Sequence, residues 1–309
     1  MTKVLLTGGS GFIAAHTLEQ LLEKDYAVVT TVRSEDKAQK IRNAFPDKAK
    51  AGKLEIVLVP DIAKPDAFDE VAKTPGLDAV IHVASPFHYN ITDPKKDLID
   101  PAVIGTTGIL KALHATAPGV KRVVITSSFA SILDEAHFTD GSHVFSEKTW
   151  NPVTIDDISS SFMTAYRASK TLAERAAWDF VAEKKPSFDI VTVCPPLVLG
   201  PVSKHLATLE TINTSNERIV KLLRGGWKDE IPPCTPVPLW IDIVDAVAKN
   251  FPEFKDRLPG PEVKGGELPP KDQIFKIDTQ ETEKLLKIDW ISIEQSVTDL
   301  VKSLKEIGI

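Results

Sequence analysis

Tyr166 and Lys170 stand four residues apart at the start of a segment that keeps a helical pattern through Trp178. On a helix this spacing places both side chains on one face. An ammonium beside a phenol favours the phenolate, which makes the tyrosine a usable proton donor and acceptor near neutral pH. A Tyr-x-x-x-Lys pair alone is commonly a pair of surface residues, so its meaning depends on the groups that the fold brings next to it.

Three hydroxyl-bearing residues, Thr126-Ser127-Ser128, end an apolar run that is typical of a buried strand. In doubly wound sheets the carboxyl ends of the strands line the crevice that binds ligands. A serine at that edge can hold a substrate carbonyl by a hydrogen bond. Taken alone, these residues are equally ordinary polar groups at the end of a strand.

A glycine-rich loop, Thr7-Gly8-Gly9-Ser10-Gly11-Phe12-Ile13-Ala14, lies between the first predicted strand and an amphipathic helix that reaches about Lys24. Glycines there permit a tight turn and a close approach of the backbone to a pyrophosphate, which the N-terminus of the helix stabilises. The alternative is a purely structural glycine turn. We predict dinucleotide binding, with these contact residues: Gly8, Ser10, Gly11, Phe12 and Ile13.

The end of the second predicted strand, Val32-Arg33-Ser34, carries no acidic residue, and Lys37 follows one turn into the next helix. An NAD enzyme usually places Asp or Glu here against the ribose 2′-hydroxyl, whereas a guanidinium and an ammonium suit a 2′-phosphate. The sequence therefore predicts NADP(H) as the cofactor. The alternative is that Arg33 and Lys37 are solvated surface charges.

Two further strand ends carry candidate cofactor contacts. Asp61 and Ile62 follow the third predicted strand and are placed near the adenine ring, although Asp61 is equally a helix cap. Ala84 and Ser85 follow the fourth and are placed along the dinucleotide backbone.

The elements that must position these residues are short apolar strands alternating with helical patterns. Predicted strands cover residues 4–7, 27–32, 54–59, 79–83, 122–126 and 190–193. Their nearly continuous apolar character is typical of parallel strands buried on both faces. The predicted fold is α/β, a Rossmann-like doubly wound parallel sheet with a smaller, mostly helical C-terminal substrate lobe.

Beyond Pro195 prolines cluster and the strand pattern stops. Helices are predicted over residues 206–223, 243–250, 280–286 and 293–307. We therefore predict two domains, an NADP-binding domain over residues 1–195 with a return segment near 236–245, and a substrate-binding lobe over residues 196–309.

Composition limits the function classes. The chain has 309 residues, 42% apolar and 26% charged, with a net charge of −6, so it can bury a large core and is not suited to wholesale nucleic-acid binding. Its two cysteines, Cys194 and Cys234, match neither a zinc site nor a disulfide framework. We expect a cytoplasmic protein with no metal and no membrane partner; the oligomeric state stays open.

Taken together, these segments resemble the extended short-chain dehydrogenase/reductase superfamily, in its dihydroflavonol-reductase-like branch with the fungal NADPH-dependent aldehyde and ketone reductases of the methylglyoxal reductase type. The resemblance covers nearly the whole chain and rests on residues 7–14, 32–34, 60–62, 82–87, 126–128, 166–170 and 195–201. It implies the catalytic triad Ser128, Tyr166 and Lys170. It also implies cofactor contacts by Pro195, Val198, Tyr166 and Lys170.

The same resemblance implies reduction of an aldehyde or ketone by hydride from NADPH, with the proton from Tyr166 and the carbonyl held by Ser128. The implied pocket walls are apolar and favour a hydrophobic carbonyl substrate over a nucleotide sugar; they are Phe87, Phe129, Leu133 and Leu197. Three alternatives share the scaffold: a nucleotide-sugar epimerase or dehydratase, a steroid dehydrogenase, and a dinucleotide sensor without chemistry.

One junction departs from the family pattern. Members of the family usually carry a further helix and strand between a segment like Trp240-Ile241-Asp242 and a segment like residues 243–252. Either the protein is naturally shortened here or residues are missing between Asp242 and Ile243. We expect the second, with a wide separation of the two Cα atoms in the structure.

Overall fold

Six parallel strands form the central sheet. Their order across it is β3 (Leu54–Leu58), β2 (Ala27–Val32), β1 (Lys3–Thr7), β4 (Ala79–His82), β5 (Arg122–Thr126) and β7 (Asp189–Val193). The computed structural model describes residues 1–85, 91–206, 208–232, 240–266 and 269–309. Two residues named above, Phe87 and Cys234, lie outside the described residues. Two short strands, β6 (Val144–Phe145) and β8 (Lys276–Ile277), lie outside this sheet.

The helices follow the strands in the alternation that the sequence predicts. In the described part of the chain they are α1 (Phe12–Glu23), α2 (Glu35–Ala44), α3 (Pro46–Lys50), α4 (Asp69–Ala72), α5 (Asp100–Thr116), α6 (Phe162–Lys184), α7 (Thr214–Leu223), α8 (Trp240–Asn250), α9 (Gln280–Leu286) and α10 (Ile293–Glu306). None of the helices in the described ranges combines the length and the apolar composition of a membrane span.

The chain divides into two units. The first contains Met1–Leu133 and Trp150–Pro195, and the second contains Asp134–Thr149 and Pro196–Ile309. Residues 134–149 thus belong to the second unit. The predicted return segment near 236–245 is described only from residue 240, where it also belongs to the second unit. The division into an NADP-binding domain and a substrate-binding lobe stays a prediction.

Both faces of the sheet in the first unit are buried, because neighbouring strand residues point to opposite sides. Leu5 and Val29 belong to one core cluster, with residues of α5 and α6. Leu6 and Val28 belong to another, with residues of α1 and α2. This explains why the strands read as continuous apolar runs, and it confirms the α/β class and the doubly wound sheet.

The sheet also fixes where its polar strand ends meet. Thr7 at the end of β1 is in register with His82 at the end of β4, and Thr126 at the end of β5 with Val193 at the end of β7. Strand order reverses between β1 and β4, and this switch point is where doubly wound sheets bind their ligands. The loops that follow β1, β4, β5 and β7 therefore share one edge.

The second unit is built on helix faces. Val297, Leu300, Val301 and Leu304 of α10 recur at helical spacing and are fully buried, in one core cluster with residues of α7 and α8. The two-residue strands β6 and β8 pair in parallel. In the described part of this unit the regular secondary structure is mainly helical, as predicted.

The prediction of one helix over residues 206–223 is wrong in its first half. Leu209–Thr211 form a 3-10 turn, and α7 begins only at Thr214. Thr211 donates its hydroxyl to the carbonyl of Thr208 at 2.8 Å, and Asn213 has extended backbone angles. Such local hydrogen bonds from side chains compete with the helix.

The expected wide separation between Asp242 and Ile243 is not found. Both residues are consecutive members of α8, which runs unbroken from Trp240 to Asn250. Trp240, Ile243 and Val247 are all fully buried. Their spacing of three and four residues is that of one helical face, so the residues on either side of the junction share a single amphipathic pattern.

Candidate active site at the carboxyl edge of the sheet

The loop after β1 approaches its neighbours too closely for side chains. Gly8 has a φ of +75°, and a Cβ at Gly8 would lie 3.0 Å from the Cα of Ala84. A Cβ at Gly9 would lie 2.2 Å from the Oγ1 of Thr30. Gly11 precedes α1 as its N-cap and provides no side-chain cap. The loop thus presents backbone N–H groups and the positive end of a helix dipole, a combination that fits a pyrophosphate.

A buried hydrogen-bond network joins β1 to the loop after β4. The Oγ1 of Thr7 accepts hydrogen bonds from the backbone N–H groups of Val83 and Ala84, both at 3.1 Å. The same hydroxyl lies 2.9 Å from Nδ1 of His82. Since the oxygen already accepts two N–H groups, its proton is available for His82. Burial lowers the pKa of His82 to about 4, and the nearby Lys170 charge adds to this effect, so the imidazole is neutral.

The three residues of the predicted triad come together. Tyr166 and Lys170 lie on α6, and Ser128 immediately follows the β5 end. The hydroxyl of Tyr166 donates to Ser128 Oγ at 3.4 Å, and Lys170 Nζ lies 5.9 Å from the centre of the Tyr166 ring. Ser128 Oγ also accepts the N–H of Ala130 at 3.1 Å. With two donors already on its oxygen, the Ser128 hydroxyl keeps its own proton for a substrate.

Lys170 is tied to a second strand end. Its Nζ donates to the Oγ of Ser85 at 2.8 Å, across 85 positions of sequence. Burial lowers the pKa of the Lys170 ammonium to about 8, because the charged form is poorly solvated there. The lysine is therefore still charged at neutral pH and is positioned by the loop that is predicted to contact the dinucleotide.

A buried carboxylate supports the segment that carries Ser128. The Oε2 of Glu174, on α6, accepts the hydroxyls of Ser127 at 2.5 Å and Ser131 at 2.7 Å. It also accepts the thiol of Cys194 at 3.5 Å. Ser131 lies 2.7 Å from the carbonyl oxygen of Ser128, to which it can also donate. Glu174 thereby connects the ends of β5 and β7 to the catalytic helix.

The sequence analysis assigned no role to Glu174. Its position, eight residues after Tyr166, puts it on roughly the same face of α6 as Lys170, which is the one signal that could have identified it. Burial and the Glu174 charge raise the pKa of Cys194 to about 11, so this cysteine is a thiol and not a nucleophile.

Arg33 and Lys37 form a cationic group at the end of β2. Burial lowers the pKa of Lys37, and repulsion from Arg33 and Lys40 lowers it further, so the charges are close enough to interact. Among the described residues neither Arg33 nor Lys37 has a carboxylate partner within salt-bridge distance. A doubly charged phosphate would relieve this repulsion, which fits the predicted NADP(H) cofactor.

Of the remaining predicted cofactor residues, Asp61 is a local cap, since its Oδ1 accepts the N–H of Ala63 at 2.9 Å. Ile62 packs partly into the core of the first unit. Pro195 lies beside the triad segment, because its carbonyl accepts the N–H of Phe129 at 3.0 Å. Val198 belongs to the second unit, where its N–H donates to Ser215 Oγ at 3.2 Å.

The predicted pocket residues are divided between the units. Phe129 is buried and Leu133 half-buried at the end of the first unit. Leu197 packs against the core of the second unit. Their joint role as pocket walls stays a prediction.

Comparison with known proteins gives a consistent result. The model of the NAD dependent epimerase/dehydratase family matches residues 4–232. The chain is 39% identical to the ketoreductase AzaE of Aspergillus niger, over 98% of both sequences. It is 39% identical to the NADPH-dependent methylglyoxal reductase GRE2 of Saccharomyces cerevisiae, over 82% of this chain and 74% of the yeast protein.

The fold has a close structural counterpart. The crystal structure of yeast methylglyoxal/isovaleraldehyde reductase Gre2 with NADPH superimposes with a TM-score of 0.89 at 32% identity, over 99% of both chains.

The Aspergillus relative also bears on the departure from the family pattern. Its alignment extends over 341 positions, whereas this chain has 309 residues. At least 32 positions of the alignment therefore have no counterpart in this chain.

Proposed function

The chain belongs to the NAD dependent epimerase/dehydratase family, an extended short-chain dehydrogenase/reductase group, and from that premise we propose that it reduces aldehydes and ketones to alcohols with NADPH. The observation that supports this most directly is the 3.4 Å contact between Tyr166 Oη and Ser128 Oγ, with Lys170 one helical turn away. The ketoreductase and methylglyoxal reductase names of its relatives point to the same chemistry.

NADPH fits the first unit through the glycine loop, where a Cβ would fill the space beside Ala84, and through Arg33 and Lys37 at the β2 end. When bound, the cofactor supplies the hydride for the carbonyl carbon. The loop after β1 would hold its pyrophosphate, the two cations its 2′-phosphate, and Lys170 its nicotinamide ribose.

The residues of this chain then handle the charge that develops on the substrate oxygen. The hydroxyl oxygens of Tyr166 and Ser128 lie 3.4 Å apart, so both groups can donate a hydrogen bond to the same carbonyl oxygen. Tyr166 transfers its proton to the developing alkoxide, while Ser128 keeps its hydrogen bond and orients the substrate. Lys170 stabilises the tyrosinate that is left. Donors already in place act more strongly on the anionic transition state than on the neutral carbonyl.

Glu174 is a positioning residue in this scheme. It touches neither the predicted substrate nor the cofactor site directly, and it acts on Ser128 through the preceding residue, Ser127, whose hydroxyl donates to its Oε2 at 2.5 Å. A buried carboxylate with three donors keeps the Ser128 backbone in one arrangement.

The proposed substrate class rests on the apolar character of the pocket walls that the family resemblance implies, which among the described residues are Phe129, Leu133 and Leu197. We propose a small carbonyl compound with a hydrophobic substituent as the substrate of this chain. The cytoplasmic location stays part of the proposal because its two cysteines match no disulfide framework.

The test is a panel of aldehydes and ketones incubated with the purified chain, with loss of NADPH absorbance as the readout and NADH in parallel. We expect turnover with hydrophobic carbonyls and a preference for NADPH. Conversion of a UDP-sugar without net cofactor consumption would instead indicate an epimerase. Tight NADPH binding with no turnover on any carbonyl would indicate a sensor and would overturn the proposal.

A further inference from the structure

A group of two imidazoles and one carboxylate lies in the second unit, in the part of the sequence between Ser128 and Tyr166. One side-chain nitrogen of His137, one of His143 and one oxygen of Asp140 all lie within 4.8 Å of one another. We propose that these three residues form a binding site for a divalent transition metal ion of the Zn²⁺ type. The sequence analysis predicted no metal, since it considered only the cysteines.

Local turns bring the three side chains together. The N–H of Asp140 donates to the carbonyl of His137 at 3.1 Å, and the N–H of His143 donates to the carbonyl of Asp140 at 3.1 Å. Each ligand is thus three residues, and one turn, from the next. The neighbouring Gly141 is required for this path, because a Cβ there would lie 2.4 Å from the carbonyl oxygen of Asp272.

Hydrogen bonds to one oxygen of Asp140 orient its carboxylate and leave the second oxygen available for a metal. The Oδ1 of Asp140 accepts both the N–H of Ser142 at 2.9 Å and its hydroxyl at 2.5 Å. The other oxygen, Oδ2, lies 3.4 Å from Nδ1 of His137. Two of the three candidate ligand atoms therefore already face each other, and the first oxygen fixes the direction of the second.

A second carboxylate completes the surroundings of His137. The Oδ2 of Asp134 lies 3.9 Å from the Nε2 of His137, on the side of the ring away from Asp140. Histidines that ligate a metal through one nitrogen commonly donate the other N–H to a carboxylate, which fixes the tautomer and strengthens the ligand. At 3.9 Å Asp134 is beyond hydrogen-bond distance of Nε2, so it takes this role only when its side chain moves closer as Nδ1 binds the metal.

His143 is held by its own surroundings. Its carbonyl accepts the N–H of Lys276 at 2.8 Å, next to the β6–β8 pair, and its ring packs edge to face on Phe145 at 4.4 Å between centres. The imidazoles of His137 and His143 stack at 3.9 Å with 7° between their planes. A ligating imidazole nitrogen points its lone pair along the plane of its ring. Two stacked rings therefore do not aim at one ion, and binding requires one ring to rotate about its Cβ–Cγ bond.

The ligand set defines the class of metal. Two nitrogens and one carboxylate oxygen suit Zn²⁺, Co²⁺ and Ni²⁺, whereas Mg²⁺ and Ca²⁺ prefer sites made only of oxygen. The three residues are half-buried, so a water molecule can take a fourth position. Such a site would connect the 3-10 turn at Glu135–His137 to β6 and order this loop.

The test is Zn²⁺ binding to the full chain, cleared of metal with EDTA, by competition against a chromophoric chelator. We expect one Zn²⁺ per chain with a dissociation constant in the micromolar range or below. His137→Ala and His143→Ala should each weaken binding at least tenfold. Asp134→Asn should weaken it about tenfold while the stoichiometry stays the same, since that residue supports a ligand and is not one.

His114→Ala is the matched control, because it removes an exposed histidine of α5 in the other unit and should leave Zn²⁺ affinity unchanged. His137→Gln and His143→Gln retain size, so weaker binding with an unchanged circular dichroism spectrum separates loss of a ligand from loss of fold. Co²⁺ spectra distinguish imidazole ligation from thiolate ligation by the cysteines. Equal affinity in the wild type, His137→Gln and His143→Gln, or a thiolate spectrum, would overturn the proposal.

Discussion

The two units of this chain arrange their polar groups differently. In the first, Ser127, Ser128 and Ser85 follow strand ends, and the buried sheet behind them fixes their positions. In the second, the core consists of helix faces, and large apolar residues near α9 stay exposed, with Leu285 at 74% and Ile291 at 72%. The comparison teaches that a parallel sheet gathers distant side chains at one edge. Helix faces chiefly provide stability, and sites there depend on local turns.

The largest effect is expected from removing the Tyr166 hydroxyl, which lies in the first unit. Tyr166→Phe should lower kcat by about 10²- to 10⁴-fold, because the proton donor is lost, while NADPH affinity and the melting temperature stay close to wild type. Tyr26→Phe, in the core packing of the first unit, is the control and should retain turnover. Wild-type turnover of Tyr166→Phe would contradict the assigned mechanism.

The second prediction concerns a core substitution in the second unit, which should affect stability and not cofactor binding. Leu300→Ala creates a cavity in a fully buried face of α10 and should lower the free energy of unfolding by about 2–5 kcal/mol, as measured by urea denaturation. NADPH affinity below the melting range should stay within twofold, since the glycine loop and Arg33 lie in the other unit. Leu285→Ala, an exposed leucine of α9, should change neither quantity. A large loss of NADPH affinity in Leu300→Ala would show that the contrast between units is wrong.

Glu174 is where stability and catalysis coincide. Glu174→Ala removes the acceptor of the buried Ser127 hydroxyl, while Ser131 keeps the carbonyl of Ser128 as an acceptor. The change should cost roughly 1–3 kcal/mol of unfolding free energy and lower kcat more than it changes the NADPH dissociation constant. The control is Glu183→Ala, an exposed carboxylate of the same helix. If only stability falls and kcat is unchanged, Glu174 is a structural residue without a positioning role.

Cofactor choice should respond to the β2 end. Arg33→Asp replaces a phosphate partner by a repelling charge, so the preference for NADPH over NADH should fall by about 10- to 100-fold, in keeping with about 1.5–3 kcal/mol for a hydrogen bond to a charged group. The control is Lys24→Asp, which changes an exposed lysine just after the C-terminal end of α1. It should not alter the ratio of the kcat/KM values for NADPH and NADH. Equal use of both cofactors by the wild type would contradict the assignment of Arg33 and Lys37.

The smallest expected effect concerns pH. Burial lowers the pKa of folded Lys170 to about 8 from an ordinary 10.5. Between these values the unfolded chain holds a proton that the folded chain has released, so the unliganded fold gains stability as pH rises through this range. The melting temperature of the wild type relative to Lys170→Met should therefore rise from about pH 8 upward. Parallel pH profiles of the two proteins would show that the ammonium is not desolvated.

Local patterns in the sequence predicted much of the first unit. Predicted strands 27–32 and 122–126 agree with β2 and β5 residue for residue, and the others agree within one residue at each end. The glycine loop and the Tyr166–Lys170 pair were found because each lies within eight residues and has a fixed spacing. Helix 280–286 was predicted equally well, for the same reason.

Predictions were wrong where local hydrogen bonds or the path of the chain between the units determined the structure. The segment before α7 has helical composition, yet the Thr211 hydroxyl donates to the local backbone at Thr208 and the helix begins only at Thr214. Residues 134–149 interrupt the first unit in sequence but belong to the second. No periodic pattern in the sequence indicates that residues 134–149 belong to the second unit.

The sequence by itself therefore determined the fold class, the cofactor loop and the residues able to carry out the chemistry, because these depend on periodicity and on spacings of a few residues. The tertiary structure decided that Lys170 meets Ser85 across 85 positions and that Glu174 collects Ser127 and Ser131 across 47 and 43. The physical reason is that a parallel sheet brings the ends of distant strands to one edge. Contacts made there are set by strand order and register, which no short segment of the chain contains.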